Sequence, residues 1–374
     1  MQPVRYLDLR SGRTYPIDQP RWCGDDGAPL LLTEVAGLTR DRIDTGTRSL
    51  WRYAQALPLA VHDPITLGEG CTPLLSRMLY GAGVHFKCEW FMPTASFKDR
   101  GASVMLSLLR QQGVMSVLED SSGNGGAAIA AFAAAGGMQA LIMAPSSTSP
   151  AKTVQMRAHG AAVELIFGTR QDTSAAAEAR AAEIFYASHN WHPFFLHGTK
   201  TLAYELWEDL GFQAPDNIVI PCGAGSNVLG CDIGFSELLR SGGIDHLPRL
   251  FAAQPANCGP IARHALGLPS EPARPTIAEG TAIAAPIRLA EVTQALARSQ
   301  GGAVLIEEAE IIRATLDLAA MGLYVEPTCA QAAAAFRKLL DDGTITQDQT
   351  TVLVLTGTGI KATPRIAEML GIAI

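Results

Sequence analysis

From about residue 84 onward the chain alternates short apolar runs with stretches of helical periodicity, and no other feature restricts its fold as much. The run "VHFKCEW" has strand character. In "GASVMLSLLRQQG", Ala102, Met105, Leu106 and Leu109 recur on one helical face, and Gly113 supplies a stop. "VMSVLED" and "QALIMAP" read as strands, "AAIAAFAAAGG" and "SPAKTVQMRAHG" as helices. "AAVELIF" and the long "SAAAEARAAEIFYASH" continue the alternation, and "NIVIPC", "NVLGCDIGFSELLRSG", "RLFAAQP", "AAFRKLL" and "TTVLVLTG" form a second series. Short β-rich runs separated by helices pair in parallel, so the sequence predicts an α/β protein with two domains, each a mainly parallel sheet flanked by helices. The Pro- and Ala-rich "LPSEPARPTIAEGTAIAAP" is expected to be a long, partly irregular connection.

Composition narrows the function classes. With 374 residues, 48% of them apolar and 17% charged, the chain can bury a large core. Its net charge of -7 is spread without long runs of one sign, which gives no footprint for nucleic acid or an anionic membrane. The first residues lack the apolar core of a signal peptide, and no apolar run approaches the roughly 20 residues of a spanning helix. Seven scattered cysteines read as free thiols in a reducing compartment. A soluble cytoplasmic protein acting on a small molecule is the expectation.

Ligand sites in parallel sheets gather beyond the carboxyl ends of strands, so three loops matter most. "SSGNGG", Ser121 to Gly126, leads into a helix whose free amides can receive an anion, or is a tight turn with a serine cap. "PCGAGSNVLG" places Gly223, Gly225, Ser226 and Asn227 before another helix. Consecutive amides there can form a concave nest for a phosphate, the alternative being a plain strand-to-helix turn. The stretch matches neither the dinucleotide fingerprint nor a nucleotide triphosphate loop, so a phosphate of another kind is expected. In "LTGTGIK", Thr356 stands at the end of an apolar strand with its hydroxyl free to face a cleft.

"MPTASFKDRGAS" surrounds Lys98 with an aromatic residue, small residues and an acid–base pair. Burial beside Phe97 would favour the free amine that Schiff-base chemistry needs. The alternative is a solvated lysine in a first helical turn.

Taken in order, "KCEWFMPTASFKDRGA", "SSGNGG", "GAGSN" and "LTGTGIK" resemble the motifs of the fold-type II pyridoxal-phosphate enzymes, and "LGEGCTPLL" resembles the entry segment of their threonine synthase branch. The resemblance spans about residues 65 to 361. It implies a tryptophan synthase β-like fold with pyridoxal 5'-phosphate in the interdomain cleft. It also implies three regions: an N-terminal lobe over 1–40, a larger cofactor-phosphate domain over 41–94 plus 201–374, and a smaller domain over 95–200. In this family's pattern Lys98 would hold the cofactor aldehyde as a Schiff base and then move protons. Asn124 would bond the cofactor's phenolic oxygen, and Ser121, Ser122, Gly123 and Asn124 would face the substrate. Gly223, Ala224, Gly225, Ser226 and Asn227 would bind the cofactor phosphate, and Thr356 would face the pyridine nitrogen. A hydroxyl partner there makes the ring a weaker electron sink than an aspartate would, which suits elimination.

The activity implied is that of a carbon–oxygen lyase: loss of phosphate from O-phosphohomoserine with addition of water to give threonine. A β-elimination or β-replacement on O-phosphoserine, serine or threonine is the alternative, and a non-catalytic binding protein the second. A homodimer is compatible with the resemblance. Departures from the pattern cluster away from the cofactor: Met92 and Ala95 in the "MPTA" stretch, Gly125 where threonine is usual, and Thr358 and Ala362 in "TGTGIKA". The branch's zinc-ribbon positions hold Asp8, Ser11, Cys23 and Asp26, a poor zinc set, so no metal is expected. Glu326 in "EPTCAQAAAA" either covers the cofactor's far side or is a helix-start acid. His189, His192 and His197 are spaced irregularly for one helical face, and Pro193 interrupts them; Lys200 follows as a candidate anion contact or a solvated helix start.

Overall fold

Apolar runs such as "NIVIP" and "TVLVL" can bury both faces only inside a sheet covered by helices on each side. The computed structural model describes residues 3–148 and 150–373. The first two residues of the lobe read over 1–40 and Ser149 of "SPAKTVQMRAHG" lie outside the described residues. In chain order the strands are β1 (Arg5–Asp8), β2 (Thr14–Pro16), β3 (Leu30–Leu32), β4 (Leu74–Leu79), β5 (Ala82–Cys88), β6 (Ser116–Glu119), β7 (Gln139–Pro145), β8 (Ala162–Ile166), β9 (Phe185–Tyr186), β10 (Asn217–Pro221), β11 (Arg249–Pro255), β12 (Gly302–Ile306) and β13 (Thr351–Leu355). Two helices bear directly on the site, α1 (Lys98–Gln111) and α2 (Asn124–Ala135). The chain divides into two compact units, one of residues up to Gly70 with Lys98–Thr201, the other of Cys71–Phe97 with everything from Leu202 on. The α/β class with parallel-rich sheets is as the sequence predicts.

The first unit holds a four-stranded parallel sheet in the order β8-β7-β6-β9 and a small antiparallel sheet, β2-β1-β3. Its core joins Val104, Met105, Leu106, Leu108 and Leu109 of α1 to Ile129 and Phe132 of α2. Leu50, Trp51, Leu57 and Ile65 enter the same core. The indole Nε1 of Trp51 donates to Glu69 Oε1 and to Ser103 Oγ, each at 3.0 Å. Residues 41–70 therefore pack in this unit, where the sequence reading had grouped 41–94 with the larger domain. The reason is that Trp51 and its apolar neighbours are buried against α1, which sequence order alone does not reveal. The stretch "SAAAEARAAEIFYASH" also differs from one continuous helix. Its helix ends at Arg180, and Phe185–Tyr186 becomes β9 beside β6. A short apolar run has no periodicity of its own to separate strand from helix.

In the N-terminal lobe, Asp8 is buried and accepts from the Ser11 hydroxyl and, at 2.8 Å, from the Arg10 amide. The Ser11 bond, ahead of other terms, holds its carboxyl below the usual carboxylate range. Hydrogen bonds thus tie together positions that a ribbon of this kind would give to a metal. Among the described residues no group of three or more His, Cys, Asp or Glu side chains is placed to hold a metal ion. Among them, too, no helix is long and apolar enough to cross a membrane.

The second unit holds a six-stranded sheet in the order β12-β11-β10-β13-β5-β4, parallel except for the edge strand β4. Phe86, Val219, Phe251, Leu353 and Leu355 share its core with the helix Pro327–Asp341. A buried charge sits within this unit. Lys87 Nζ lies 2.7 Å from Glu205 and 2.7 Å from Asp209, and donates to the Thr72 carbonyl at 2.8 Å. Glu205 in turn accepts the amides of Cys71 and Thr72 at 2.9 and 2.7 Å. Every group in this network is satisfied, so it ties the segment after Gly70 to the helix Thr201–Asp209. Replacing Lys87 by methionine leaves Glu205 buried without its cation. Urea unfolding of Lys87→Met should show a loss of about 3–5 kcal/mol, as for other buried pairs broken on one side; an unchanged midpoint would contradict this account.

Candidate active site

In the first unit, α1 begins at Lys98 itself, and the side chain is half buried. The Phe195 ring lies beside its Nζ, with the centroid 5.7 Å away. Phe195 is fixed against α1 so closely that a Cβ on Gly101 would fall 2.5 Å from its ring atoms.

The loop after β6 carries Ser121, Ser122 and Gly123, and α2 opens at Asn124 with Gly123 as its cap. Ser121 Oγ accepts the Gly123 amide at 3.4 Å. No side chain caps this helix. Immediately before the loop, Glu119 is fully buried. Its Oε1 is 2.8 Å from His189 Nδ1, and its Oε2 accepts the His189 amide at 3.0 Å. Burial pushes the Glu119 carboxyl up to about 7, against the opposing pull of the His189 amide, Arg170 and Lys98. Glu119 escaped the sequence reading, although an acid closing an apolar strand just ahead of a glycine loop was a usable signal. Of the three histidines, His189 joins this loop. His192 caps the helix Pro193–Thr199 through its Nδ1, and His197 is buried in that helix. Lys200 is also buried and donates to the Ala56 carbonyl at 2.7 Å, a structural anchor.

In the second unit, β10 runs into Gly223, Ala224 and Gly225, and the helix Ser226–Arg240 follows. Gly225 has φ +93°, and a Cβ there would lie 2.2 Å from Val292 Cγ2, so only glycine fits. Asn227 is buried, and neither polar atom of its amide finds a hydrogen-bond partner among the described residues. A buried amide left in that state costs about 1–3 kcal/mol unless a ligand satisfies it. A left-handed glycine and an unsatisfied buried amide at the start of a helix are groups able to receive an anion.

Thr356 follows β13 and is buried, with Oγ1 3.3 Å from Cys329 Sγ. The same sulfur accepts the Gly357 amide at 2.9 Å and lies 3.1 Å from the Gly357 carbonyl. Burial pushes the Cys329 thiol far up, so it stays protonated and serves to hold the Thr356 hydroxyl. Cys329 was also missed in the sequence; it lies in the first turn of the helix capped by Glu326, whose amide donates to the Gly357 carbonyl at 3.2 Å.

The segment before Lys98 lies along this strand end. The Phe97 amide donates to the Thr356 carbonyl at 3.0 Å, the Thr358 amide to the Ala95 carbonyl at 3.2 Å, and Ser96 bridges Gly357. Lys361 Nζ donates to the Thr94 carbonyl. Ala95 is held at φ +63°, a left-handed conformation that is unfavourable with a Cβ.

Known proteins resemble this chain over most of its length. The pyridoxal-phosphate dependent enzyme family matches residues 65–357. A threonine synthase of Methanosarcina acetivorans is 33% identical over 350 residues, covering 90% of this chain and 86% of that protein. One from Methanocaldococcus jannaschii is 30% identical over 371 residues, covering 94% and 92%. Among solved structures, a fungal L-serine ammonia-lyase from Rhizomucor miehei superposes with a TM-score of 0.69 at 19% identity, over 81% of this chain and 98% of that one. Maize serine racemase does so with a TM-score of 0.66 at 22% identity, over 80% and 92%. At those identities the structural likeness speaks for the fold alone.

Ala95 offers a direct check on the strap before Lys98. Ala95→Gly relieves the left-handed strain and should stabilise the protein by about 1 kcal/mol in urea unfolding. A destabilised variant would show that the φ of residue 95 is not under strain.

Proposed function

Because the chain belongs to the pyridoxal-phosphate-dependent enzymes, as a threonine synthase-like lyase with pyridoxal 5'-phosphate as its cofactor, we propose that it converts O-phosphohomoserine and water to threonine and phosphate. The observation that carries this reading is likeness to two threonine synthases along 86% and 92% of their lengths. The residues of the chain fit the cofactor: the glycine turn, the first-turn amides and the unsatisfied Asn227 amide suit a phosphate ester.

When bound, the cofactor supplies an electron sink that acidifies the substrate's Cα–H. The remaining work falls to side chains and amides. Lys98 is the amine that would hold the cofactor aldehyde and then carry protons to and from the substrate carbons. The Phe195 ring, with its centroid 5.7 Å from that amine, forms one wall of its surroundings. Asn124 would bond the cofactor's phenolic oxygen. The amides and hydroxyls of Ser121, Ser122 and Gly123, with Asn124, would orient the substrate carboxylate. Gly223, Ala224, Gly225, Ser226 and Asn227 would hold the phosphate. Thr356, steadied by Cys329, would offer a neutral hydroxyl to the ring nitrogen. A neutral partner favours departure of a leaving group over storage of charge on the ring.

A second reading is favoured by one feature of the first unit. The neighbours of Lys98 include a phenyl ring and the Glu119–His189 pair, surroundings less suited to a phosphate dianion than to an uncharged substituent. On that reading the enzyme eliminates an uncharged β-substituent from an amino acid such as serine or threonine.

Incubating the holoenzyme with O-phosphohomoserine, O-phosphoserine, serine and threonine separates the two. Threonine and inorganic phosphate from the first substrate are expected; keto acid and ammonia as the sole products would reject the synthase reading. Borohydride treatment followed by peptide mass analysis should leave the pyridoxyl group on Lys98, and Lys98→Ala should lower turnover by about 10³-fold or more. Asn227→Leu should leave the cofactor-free protein as stable as the parent or more so, while weakening cofactor retention by about tenfold or more. Equal retention would remove Asn227 from the phosphate site.

A further inference from the structure

Strands β6 and β9 are neighbours in a parallel sheet, so their carboxyl ends bring Glu119 and the residues after Tyr186 side by side. That edge is where ligand-handling groups collect in such sheets. The bond from Glu119 Oε1 to His189 Nδ1 and that from the His189 amide to Oε2 form a two-point clamp at 2.8 and 3.0 Å. A carboxylate held in this way orients an imidazole ring and determines which nitrogen carries the proton. With Nδ1–H donating to Glu119, Nε2 keeps its lone pair.

The clamped ring has two further neighbours. It packs on Phe195 at 5.7 Å between centroids and 60° between planes, and Phe195 is the ring beside Lys98. It also occupies the space next to Gly125. A Cβ at position 125 would fall 2.8 Å from both His189 Nδ1 and Cε1, and 2.9 Å from Ser121 Oγ. A side chain at 125 and the imidazole in this position exclude each other. Gly125 is one of the departures noted in the sequence, and its missing side chain is what admits the ring.

We propose that His189, clamped by Glu119 and admitted by Gly125, is a positioning residue of the lysine site, which accepts a hydrogen bond from a hydroxyl or water beside Lys98 and so selects substrates that carry or gain an O–H there. The inference rests on the reading of Lys98 as the proton-transfer lysine. The charges acting on the pair are consistent with an accepting ring. Burial, then Lys98, pushes the His189 pKa well down, with Arg170 acting in the same sense and Asp120 opposing. The imidazole is thereby held toward its uncharged form, with Lys98, Arg170 and Asp120 setting its field and Glu119, itself pushed up to about 7, as its direct partner.

The test uses the holoenzyme and three single variants, His189→Ala, Gly125→Ala and Glu119→Gln, together with the double variant of positions 125 and 189. Above pH 7, where the Glu119 carboxyl pushed up to about 7 is ionised, Glu119→Gln removes a negative charge near Lys98. The pH midpoint of the bound cofactor's visible absorption should fall by on the order of half a pH unit. His189→Ala and Gly125→Ala should each lower kcat/KM by on the order of tenfold to a hundredfold. The double variant should be no worse than either single one, because both act on the same ring. Its added methyl refills part of the cavity, so thermal stability recovers while the kinetic loss remains. Variants that titrate and turn over like the parent, differing in thermal stability alone, would make His189 a core residue and overturn the proposal. A parent protein in which borohydride leaves no pyridoxyl group on Lys98 would overturn the lysine reading itself, and this inference with it.

Discussion

The amide of Phe97 donates to the carbonyl of Thr356 at 3.0 Å, and the construction of the second unit around Thr356 starts from that bond. With the Ser96–Gly357 bridge and the Thr358-to-Ala95 bond, it makes residues 94–97 a short strap along the end of β13. The strap's next residue is Lys98, one peptide bond on and the first of α1. The residue that ends the central strand and the residue that precedes the lysine are therefore positioned by the same backbone contact. Ala95 bears a left-handed φ to make the strap fit, and backbone strain beside a functional group persists only where its surroundings over-determine it.

Three buried polar groups show how satisfaction separates architecture from function. Lys87 finds two carboxylates and a carbonyl, and its network is closed. Such a group stabilises one arrangement of chain and invites no ligand. The Asn227 amide has neither polar atom paired among the described residues, and it stands where a glycine turn opens a helix. Glu119 is intermediate: it is paired with one imidazole, yet buried deeply enough to be pushed up to about 7. Low local dielectric strengthens a satisfied bond and penalises an unsatisfied one, so the same burial yields a strut in one place and a binding group in another.

The Cys329–Thr356 contact bears on reaction type. A hydroxyl whose neighbour is a protonated, buried thiol has no access to a full counter-charge. If Thr356 faces the cofactor's ring nitrogen, as proposed, that nitrogen would be weakly paired, which would disfavour chemistry that must park charge on the ring. The leaving group then has to carry that charge away, in agreement with a lyase.

Periodicity and loop chemistry were legible from the chain alone. The alternation of apolar strands with helices determines the α/β class, because a run buried on both faces has no other stable setting. The order of Lys98, the Ser121–Gly126 turn, the Gly223–Asn227 turn and Thr356 was equally readable, since glycines and polar residues after apolar strands are local signals. What only tertiary structure decided were partnerships between residues distant in sequence. That Phe195 lies beside Lys98, that Trp51 brings residues 41–70 into the first unit, that Phe185–Tyr186 is a strand, and that Glu119 clamps His189 against Gly125 all depend on which surfaces meet. Local sequence encodes backbone preference; it does not encode which side chain, His189, arrives from sixty-four residues away to fill the space that Gly125 leaves.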